Sequence, residues 1–424
     1  MRIQRKAGVW FAAAVSLLLT TAAVGQELEI HGFAQTNYAV RIASTEDLPD
    51  GLGAKEKDVV LGDERVQLEF SHFSGRGNAD FASRIDLVRD ALDSTMEIDL
   101  REAYLNLSLW KFDARVGRQV VTWGLGDLVF INDVFPKDWV AFLSGQPLQY
   151  LKLGSDAVSV SFHPGPLSTQ VVVTPFFDPD NLPTGERLAF YNPLPIRTMR
   201  VIEPSLTFDN FEVAGRLYRT VWKFDASLYA YRGFSRSPAA QTIDLEMAEG
   251  TFFYPELRVY GASAQGAILG GVVSLEGGYY DFPDDRDGAD PFISNPQIRF
   301  LGSYQRAFGA DLTVSLQYYG EAMRKHDAYT ESLPPGSPEA AQIRHNVTLR
   351  ATQFFKYQTV RLSLFAWVSP NDEDYYINPE VRYSFTDELW SAVGGNIFGG
   401  NEAHTFLGQF DANDNVYLVA RYGF

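Results

Sequence analysis

The last ten residues constrain the fold more than any other stretch of the chain. From Asn415 to Phe424, apolar side chains alternate with mostly polar ones. One face of the alternation carries Val416, Leu418, Ala420, Tyr422 and Phe424, and the other carries Tyr417, Val419, Arg421 and Gly423. A period of two residues predicts a β-strand. A soluble protein rarely ends on an apolar strand, because the open edge invites aggregation. A barrel that pairs its last strand with its first has no such edge, so the ending favours a closed barrel.

The amino terminus predicts an export signal. Arg2, Arg5 and Lys6 form a basic start, residues 9–20 are apolar, and Ala23-Val24-Gly25 offers a small-residue cleavage site. We therefore expect residues 1–25 to be a cleaved signal peptide and residues 26–424 to form a single domain. No run of 18 apolar residues follows, which argues against a membrane-spanning helix.

The composition narrows the class of protein further. A formal net charge of −17 argues against nucleic-acid binding. The chain has no Cys, so it offers no thiolate metal site, and we expect neither a metal nor a cofactor. It is rich in aromatic residues and glycine, with 31 Phe, 21 Tyr and 35 Gly. This composition, together with the absence of an apolar helix, is typical of a β-barrel in lipid.

The spacing of the alternating segments predicts the number of strands. Some segments are joined by short turns, such as Trp110-Lys111 and Trp222-Lys223, and others by long polar connections. The long connections are residues 44–62, 124–154, 177–208, 235–251, 283–294, 326–341 and 399–413. Short turns on one rim and long loops on the other are typical of a transmembrane antiparallel up-and-down β-barrel. We predict an all-β fold of this kind with about 18 strands, or alternatively 16; a soluble β-sandwich would space its turns evenly.

The polar face of these strands carries many charges, which predicts a wet lumen. The residues predicted to line the pore and set its selectivity are Arg65, Arg84, Glu102, Arg115, Arg118, Arg216, Arg258, Arg350, Arg361 and Arg382. Rings of charge select solutes by sign. The alternative is that these groups pair across strands and stiffen the wall, and the sequence leaves both open. Arg118 breaks the alternation, which predicts a bulge or kink there.

The long connection at 125–154 is amphipathic rather than purely polar. The residues that carry this pattern are Asp127, Phe130, Asp133, Phe135, Lys137 and Trp139. A loop that lies wholly outside the membrane has little use for so many aromatic residues. We expect it to fold into the pore as a constriction, with an ordered loop on the rim as the alternative.

Three segments resemble a known family. Arg115 to Gly124 carries a Gly-Arg-Gln and Trp-Gly pattern, Phe224 to Gly233 is followed by Pro238, and Asp414 to Phe424 closes the chain. These segments resemble the outer-membrane barrels described as domain of unknown function 1302, and more distantly the alginate-export barrels. The second resemblance implies an anionic polysaccharide guided by basic lumen side chains. The ending also resembles outer-membrane barrels whose final Phe is read by the assembly machinery, which implies that Tyr422 and Phe424 form an assembly signal.

The functional expectation follows from these features. Neither a Gly-x-Ser-x-Gly nor a His-Glu-x-x-His motif occurs, so we do not expect an enzyme. We predict a monomeric or trimeric porin-like channel of the bacterial outer membrane, in contact with lipid and lipopolysaccharide. It would pass polar small molecules or saccharides, anions among them, by diffusion or export. The alternatives are a barrel that sheathes a periplasmic partner, such as an electron-transfer cytochrome, and an enzyme with a site at the barrel rim. A sheath needs an open lumen, so the placement of 125–154 discriminates between sheath and channel.

Overall fold

A computed structural model describes residues 2–3, 28–43, 59–73, 78–183, 185, 187–191, 196 and 198–424. Apart from Arg2–Ile3, the predicted signal peptide lies outside these residues. Arg2–Ile3 form a two-residue strand that pairs in parallel with Glu97 and Ile98. Among the described residues, no helix has both the length and the apolar character needed to cross a bilayer.

Eighteen antiparallel strands form a closed barrel. They are β1 Leu28–Arg41, β2 Val59–Phe73, β3 Ala79–Asp90, β4 Thr95–Leu109, β5 Phe112–Gln119, β6 Ser155–Phe162, β7 Ser168–Thr174, β8 Glu212–Val221, β9 Phe224–Phe234, β10 Glu256–Ile268, β11 Gly271–Asp281, β12 Gln297–Phe308, β13 Leu312–Met323, β14 Ile343–Phe355, β15 Val360–Ser369, β16 Asp374–Ser384, β17 Leu389–Gly400 and β18 Asn415–Gly423. Each strand pairs with the next, and β18 pairs with β1 from Arg41↔Asn415 to Phe33↔Gly423. The predicted all-β barrel of 18 strands is confirmed, and the alternative of 16 is wrong.

The closing strand shows how the two faces of the wall are used. Leu418 and Tyr422 are 53% and 52% exposed, whereas Tyr417 and Val419 are only 3% and 2% exposed. The apolar set of the carboxy-terminal alternation therefore points outward, as a barrel surrounded by lipid requires.

The connections sort onto two rims. Very short turns such as 110–111, 222–223 and 269–270 lie on one rim, which is the periplasmic side in barrels of this type. The predicted long connections join strand ends at the other rim, together with two four-residue turns at 91–94 and 370–373; residues 44–58 of the first connection lie outside the described residues. Trp110 and Trp222 are 84% and 95% exposed at the short-turn rim, where aromatic residues suit the membrane interface.

The long connections contain the remaining regular structure. Strands Thr198–Ile202, Ala239–Asp244 and Glu249–Phe253 form a separate small sheet. Within the described residues, the α-helices are α1 Trp139–Leu143 and α2 His326–Ser332, and the 3-10 helices are Leu148–Tyr150, Phe208–Asn210, Pro283–Asp285 and Gly408–Asn413.

One sector of the wall is built from short strands. β5 and β6 have 8 residues and β7 has 7, whereas a strand needs about 9–11 residues to cross the hydrocarbon. In this sector the ladder between β4 and β5 stops at Ala103↔Arg118. Gly117 has a φ of +127°, which only glycine adopts without strain, so the strand is kinked here, two residues before it ends at Gln119. This conformation explains the break in alternation at Arg118.

Candidate pore and constriction loop

The connection between β5 and β6, residues 120–154, crosses the inside of the barrel, and we call it the constriction loop. It leaves the wall at β5 and reaches β11 and β13, which stand on the far side of the ring of strands. The amides of Leu125 and Gly126 donate to Glu276 of β11 at 2.6 and 3.2 Å, and the Asp127 amide donates to Gln317 of β13 at 3.0 Å. Such bonds require the loop to span the lumen.

Glu276 is the main contact between the loop and the wall. Its carboxylate also accepts from the backbone amide and the Nδ2 of Asn132, both at 2.9 Å, and the residue is only 5% exposed. Four N–H donors thus replace the water that a buried carboxylate loses. Beside it, Gly261 of β10 leaves room for Asn132, because a β-carbon at Gly261 would lie 1.8 Å from Asn132 Oδ1.

Arg350, a predicted lumen residue, forms an ion pair with Asp127, a predicted residue of the loop. Arg350 Nε and Nη2 donate to the two carboxylate oxygens of Asp127 at 2.5 and 3.0 Å, which makes the ion pair bidentate. The guanidinium also lies 4.8 Å from the centre of the Phe365 ring. Both charged side chains are about a third exposed, so the pair fixes geometry more than it adds stability.

The outer part of the loop is held by a buried ionic cluster. Asp133 accepts from Lys137 Nζ at 2.9 Å and from Lys152 Nζ at 2.6 Å. Burial of the Lys137 ammonium lowers its pKa, while Asp133 opposes that effect. Asp138 caps α1 by accepting from the Ala141 amide at 2.7 Å. This arrangement gives the loop a defined shape inside the barrel.

The predicted aromatic residues of the loop pack on one another and on the outer connections. Phe135 is 4% exposed and meets Trp123 edge-on, with ring centres 5.3 Å apart. Trp139 packs against both Phe130 and Phe406, with ring centres 6.1 and 6.2 Å apart. The amphipathic pattern at 125–154 therefore corresponds to packing inside the barrel.

Most of the predicted wall charges are paired. The pairs are Arg65 with Asp63 (2.7 Å) and Asp86, Arg84 with Glu102 (2.7 Å), Arg118 with Asp156 (3.5 Å), Arg258 with Glu256 (3.8 Å) and Arg361 with Glu380 (2.6 Å). Glu102 also accepts from the Val120 amide at 3.0 Å, where the constriction loop begins. For these residues except Arg258, whose partner Glu256 lies in the same strand, the structure shows the cross-strand pairing that the sequence left open.

Three predicted lumen arginines differ from the rest. Within the described part of the chain, Arg115, Arg216 and Arg382 have no carboxylate partner at salt-bridge distance. Arg115 lies 4.1 Å over Tyr104, Arg216 lies 4.7 Å over Tyr218, and Arg382 lies 4.0 Å over Trp390. The aromatic faces orient these guanidinium groups and leave their positive charge unneutralised.

Three cavities lie beside the loop among the described residues. One of about 440 Å³ contains Arg115 and Trp123 beneath the base of the loop. A second of about 550 Å³ lies among Arg101, Arg118 and Tyr150. The third, of about 540 Å³, lies between the constriction loop and the outer connections, and we call it the outer aromatic cavity. Across the described residues, no three His, Asp or Glu side chains converge as a metal site would require.

Comparisons with known proteins identify the fold. No protein-family profile matches the chain, and no curated protein matches it. OccK5 (OpdH) of Pseudomonas aeruginosa is similar in structure with a TM-score of 0.55 and 10% identity, covering 94% of this chain and 98% of that chain. OccAB3 of Acinetobacter baumannii has a TM-score of 0.56 and 9% identity, over 94% and 99% of the two chains. For OccK3 (OpdO) of Pseudomonas aeruginosa the TM-score is 0.53 and the identity 11%, over 94% and 96%.

At these identities the likeness concerns the fold alone. It extends over nearly the whole length of each protein, so the complete barrel is shared rather than one sector of it. The resemblance to the domain-of-unknown-function 1302 and alginate-export barrels stays a prediction. The chain folds as a closed 18-stranded barrel like those of these structures.

Proposed function

We propose that the protein is a porin-like channel of the bacterial outer membrane that lets small solutes diffuse through a lumen narrowed by the constriction loop. The bonds of that loop to Glu276, Gln317 and Arg350 on the far wall carry the proposal. A loop held at this depth reduces the cross-section of the lumen. The apolar outer face supports contact with lipid and lipopolysaccharide.

The unpaired arginines support a preference for polar solutes that carry negative charge. Arg115, Arg216 and Arg382 add positive charge to the lumen wall, whereas the paired arginines add almost none. A ring of uncompensated charge favours ions of the opposite sign. The remaining predicted wall residues act mainly through the shape they give the lumen.

The structure favours a channel over the two alternatives. A barrel that sheathes a periplasmic partner needs an empty lumen, and here residues 120–154 cross it. A rim enzyme needs a nucleophile with a base beside it; in the outer connection with α2 the Thr330 hydroxyl donates to the His326 carbonyl and to Glu339, whereas the His326 ring bonds to the Ala340 carbonyl. The assembly role of Tyr422 and Phe424 remains part of the proposal; both side chains are about half exposed on the outward face.

Planar-bilayer conductance of the refolded chain in KCl tests the channel. We expect a steady current in the wild type and a larger one after deletion of residues 128–150. Deletion of residues 328–338, in the outer connection that contains α2, is the matched control and should leave the current unchanged. Absence of current in both the wild type and the 128–150 deletion would overturn the proposal.

The reversal potential in a salt gradient tests the selectivity. We expect an anion preference that weakens when Arg115, Arg216 and Arg382 are changed together to Gln. The control variant changes Arg361 and its partner Glu380 together to Gln, which removes one positive and one negative charge and leaves the net charge of the lumen unchanged. An equal shift in this variant and the triple variant would contradict a special role for the unpaired arginines.

A further inference from the structure

The outer aromatic cavity has the size of a small-molecule site. Its volume of about 540 Å³ falls within the range of about 300–1,000 Å³ that ligand pockets occupy. Trp139 of the constriction loop, Trp367 of β15 and Phe406 of the outer connection 401–414 contribute its aromatic wall. The Trp139–Phe406 and Trp367–Phe406 ring centres are 6.2 and 5.9 Å apart, with interplanar angles of 88° and 44°, so the three rings form adjoining walls that meet at an angle.

The polar atoms of these lining rings are already bonded to the protein. Trp139 Nε1 donates to Asp180 Oδ2 at 2.8 Å, and Trp367 Nε1 donates to Asn346 Oδ1 at 2.8 Å. The Tyr280 hydroxyl donates to the Ile131 carbonyl, and the Tyr319 hydroxyl donates to Glu321 at 2.7 Å. A solute in the cavity therefore meets the carbon faces of the rings rather than their hydrogen-bonding edges.

The cations that line the cavity are neutralised in the same way. The four pairs are Lys137 with Asp133 (2.9 Å), Arg236 with Glu212 (3.1 Å), Arg299 with Glu321 (3.3 Å) and Arg344 with Asp372 (2.7 Å). A strongly hydrated anion or a sugar would give up water contacts and find these partners occupied. The cavity thus differs from the lumen around Arg115, where the guanidinium has no carboxylate partner.

We infer that the outer aromatic cavity binds solutes with a flat, largely apolar ring body before they reach the constriction. The inference rests on the proposed channel function, because it names the class of solute that such a channel would take. The ring body would stack on the face of Phe406 and meet Trp139 and Trp367 at an angle, with a single polar group directed toward water or the lumen. Stacking on an aromatic face is worth about 0.5–1.5 kcal/mol beyond the area that is buried.

Equilibrium dialysis of the detergent-solubilised full chain tests this inference with two neutral probes, 2-naphthol and methyl glucoside. We expect saturable binding of 2-naphthol and no competition by the glucoside. Phe406→Ala should weaken binding roughly two- to tenfold, since one stacking face is lost. Phe292→Ala, the same change in the outer connection 282–296, is the matched control and should bind as the wild type does.

Trp367→Leu is a second variant in case Phe406→Ala disturbs folding, which heat-modifiability on gels reports. Purely linear uptake of 2-naphthol that is equal in all variants would overturn the inference, as would equal competition by the glucoside. If the wild type conducts but does not bind 2-naphthol saturably, the inference fails and the channel stands. If binding saturates and depends on Phe406 while no current flows, the channel proposal fails and the ligand class survives.

Discussion

Glu276 is a buried carboxylate whose bonded partners are neutral N–H groups of the constriction loop. Glu276→Gln should loosen the loop, because the carboxamide keeps one acceptor oxygen and places an NH₂ group against backbone donors. Each charge-assisted bond that is lost costs about 1.5–3 kcal/mol. We expect a noisier and larger single-channel current than in the wild type.

The control for this substitution is Glu256→Gln at the outer rim. Glu256 is 3.8 Å from Arg258, and its side chain is 42% exposed. This variant should conduct like the wild type. Identical, quiet currents in wild type and Glu276→Gln would show that the loop does not depend on this carboxylate.

Gly117 lies near the end of β5, two residues before Gln119, after which the constriction loop begins. Its φ is +127°, and a β-carbon there would lie 2.2 Å from the Ala103 carbonyl oxygen. Gly117→Ala should therefore destabilise the barrel by more than about 1 kcal/mol. The midpoint of urea unfolding in lipid vesicles measures this effect.

Gly215→Ala provides the comparison, because a β-carbon at Gly215 of β8 meets no atom within 4 Å. That variant should unfold at the wild-type midpoint or slightly above it. If both glycine variants unfolded alike, the conformation at Gly117 would not matter for stability.

The position of the constriction loop depends on a contact surface formed by β10 and β11. Asn132 fits only because Gly261 has no side chain, and Ile131 lies 2.8 Å from the β-carbon position of Gly278. Gly261→Leu should displace this part of the loop and increase conductance, as the deletion of residues 128–150 does. Gly277→Ala, on the same sheet, has only an ordinary 3.7 Å contact and should leave conductance unchanged. A current unaltered in Gly261→Leu would contradict this account.

The sequence could predict the constriction loop but not the wall residues that it contacts. The aromatic and acidic residues of 125–154 showed that the connection was unlike a solvated loop, and they do pack inside the barrel. Glu276, Gln317 and Gly261 were missed, because alternation places them on the inward face without telling which residue meets the loop. The chain also enters the lumen at residue 120, earlier than the predicted 125, since β5 ends at Gln119.

The same limit applies to the lumen charges. Alternation placed Arg65, Arg84 and Arg361 on the inward face, but their partners depend on strand register, which the sequence does not specify in advance. Stacking of Arg382 on Trp390 has no local pattern that reveals it. The face of a residue was therefore predictable, and its pairing was not.

At the scale of the whole molecule, closure depends on the seam between β1 and β18. The Phe424 amide donates to the Gly32 carbonyl and the Gly32 amide donates to the Phe424 carbonyl, both at 2.9 Å. Removal of Phe424 should lower the stability of the refolded barrel by about 1–3 kcal/mol, from two hydrogen bonds. Urea unfolding of the purified protein measures this loss.

Phe424→Leu is the control for the seam, because it keeps both backbone bonds. It should unfold near the wild-type midpoint in vitro. If residue 424 also serves as an assembly signal, Phe424→Leu should still reduce the amount of barrel in cells. An unchanged midpoint after removal of Phe424 would contradict its role in closure.

The number of strands was predictable because connection length alternates around the barrel. The alternation is imperfect, since the outer turns 91–94 and 370–373 are as short as periplasmic ones. The number 18 was still predictable, because each long connection shows that the chain is at the outer rim. The first strand begins and the last strand ends at the same rim, so the number of strands must be even. Strand length was not predictable in the same way, because β5 ends and β6 begins where the constriction loop leaves and rejoins the wall.

Those three short strands have a consequence for the lipid around the barrel. Irregular backbone is not tolerated against hydrocarbon, so the outer leaflet must come down to meet the shorter wall. The membrane around this protein is then thinner on one side than on the other. Two such barrels would disturb less lipid if their short-strand sectors, formed by β5, β6 and β7, faced one another than if these sectors were apart.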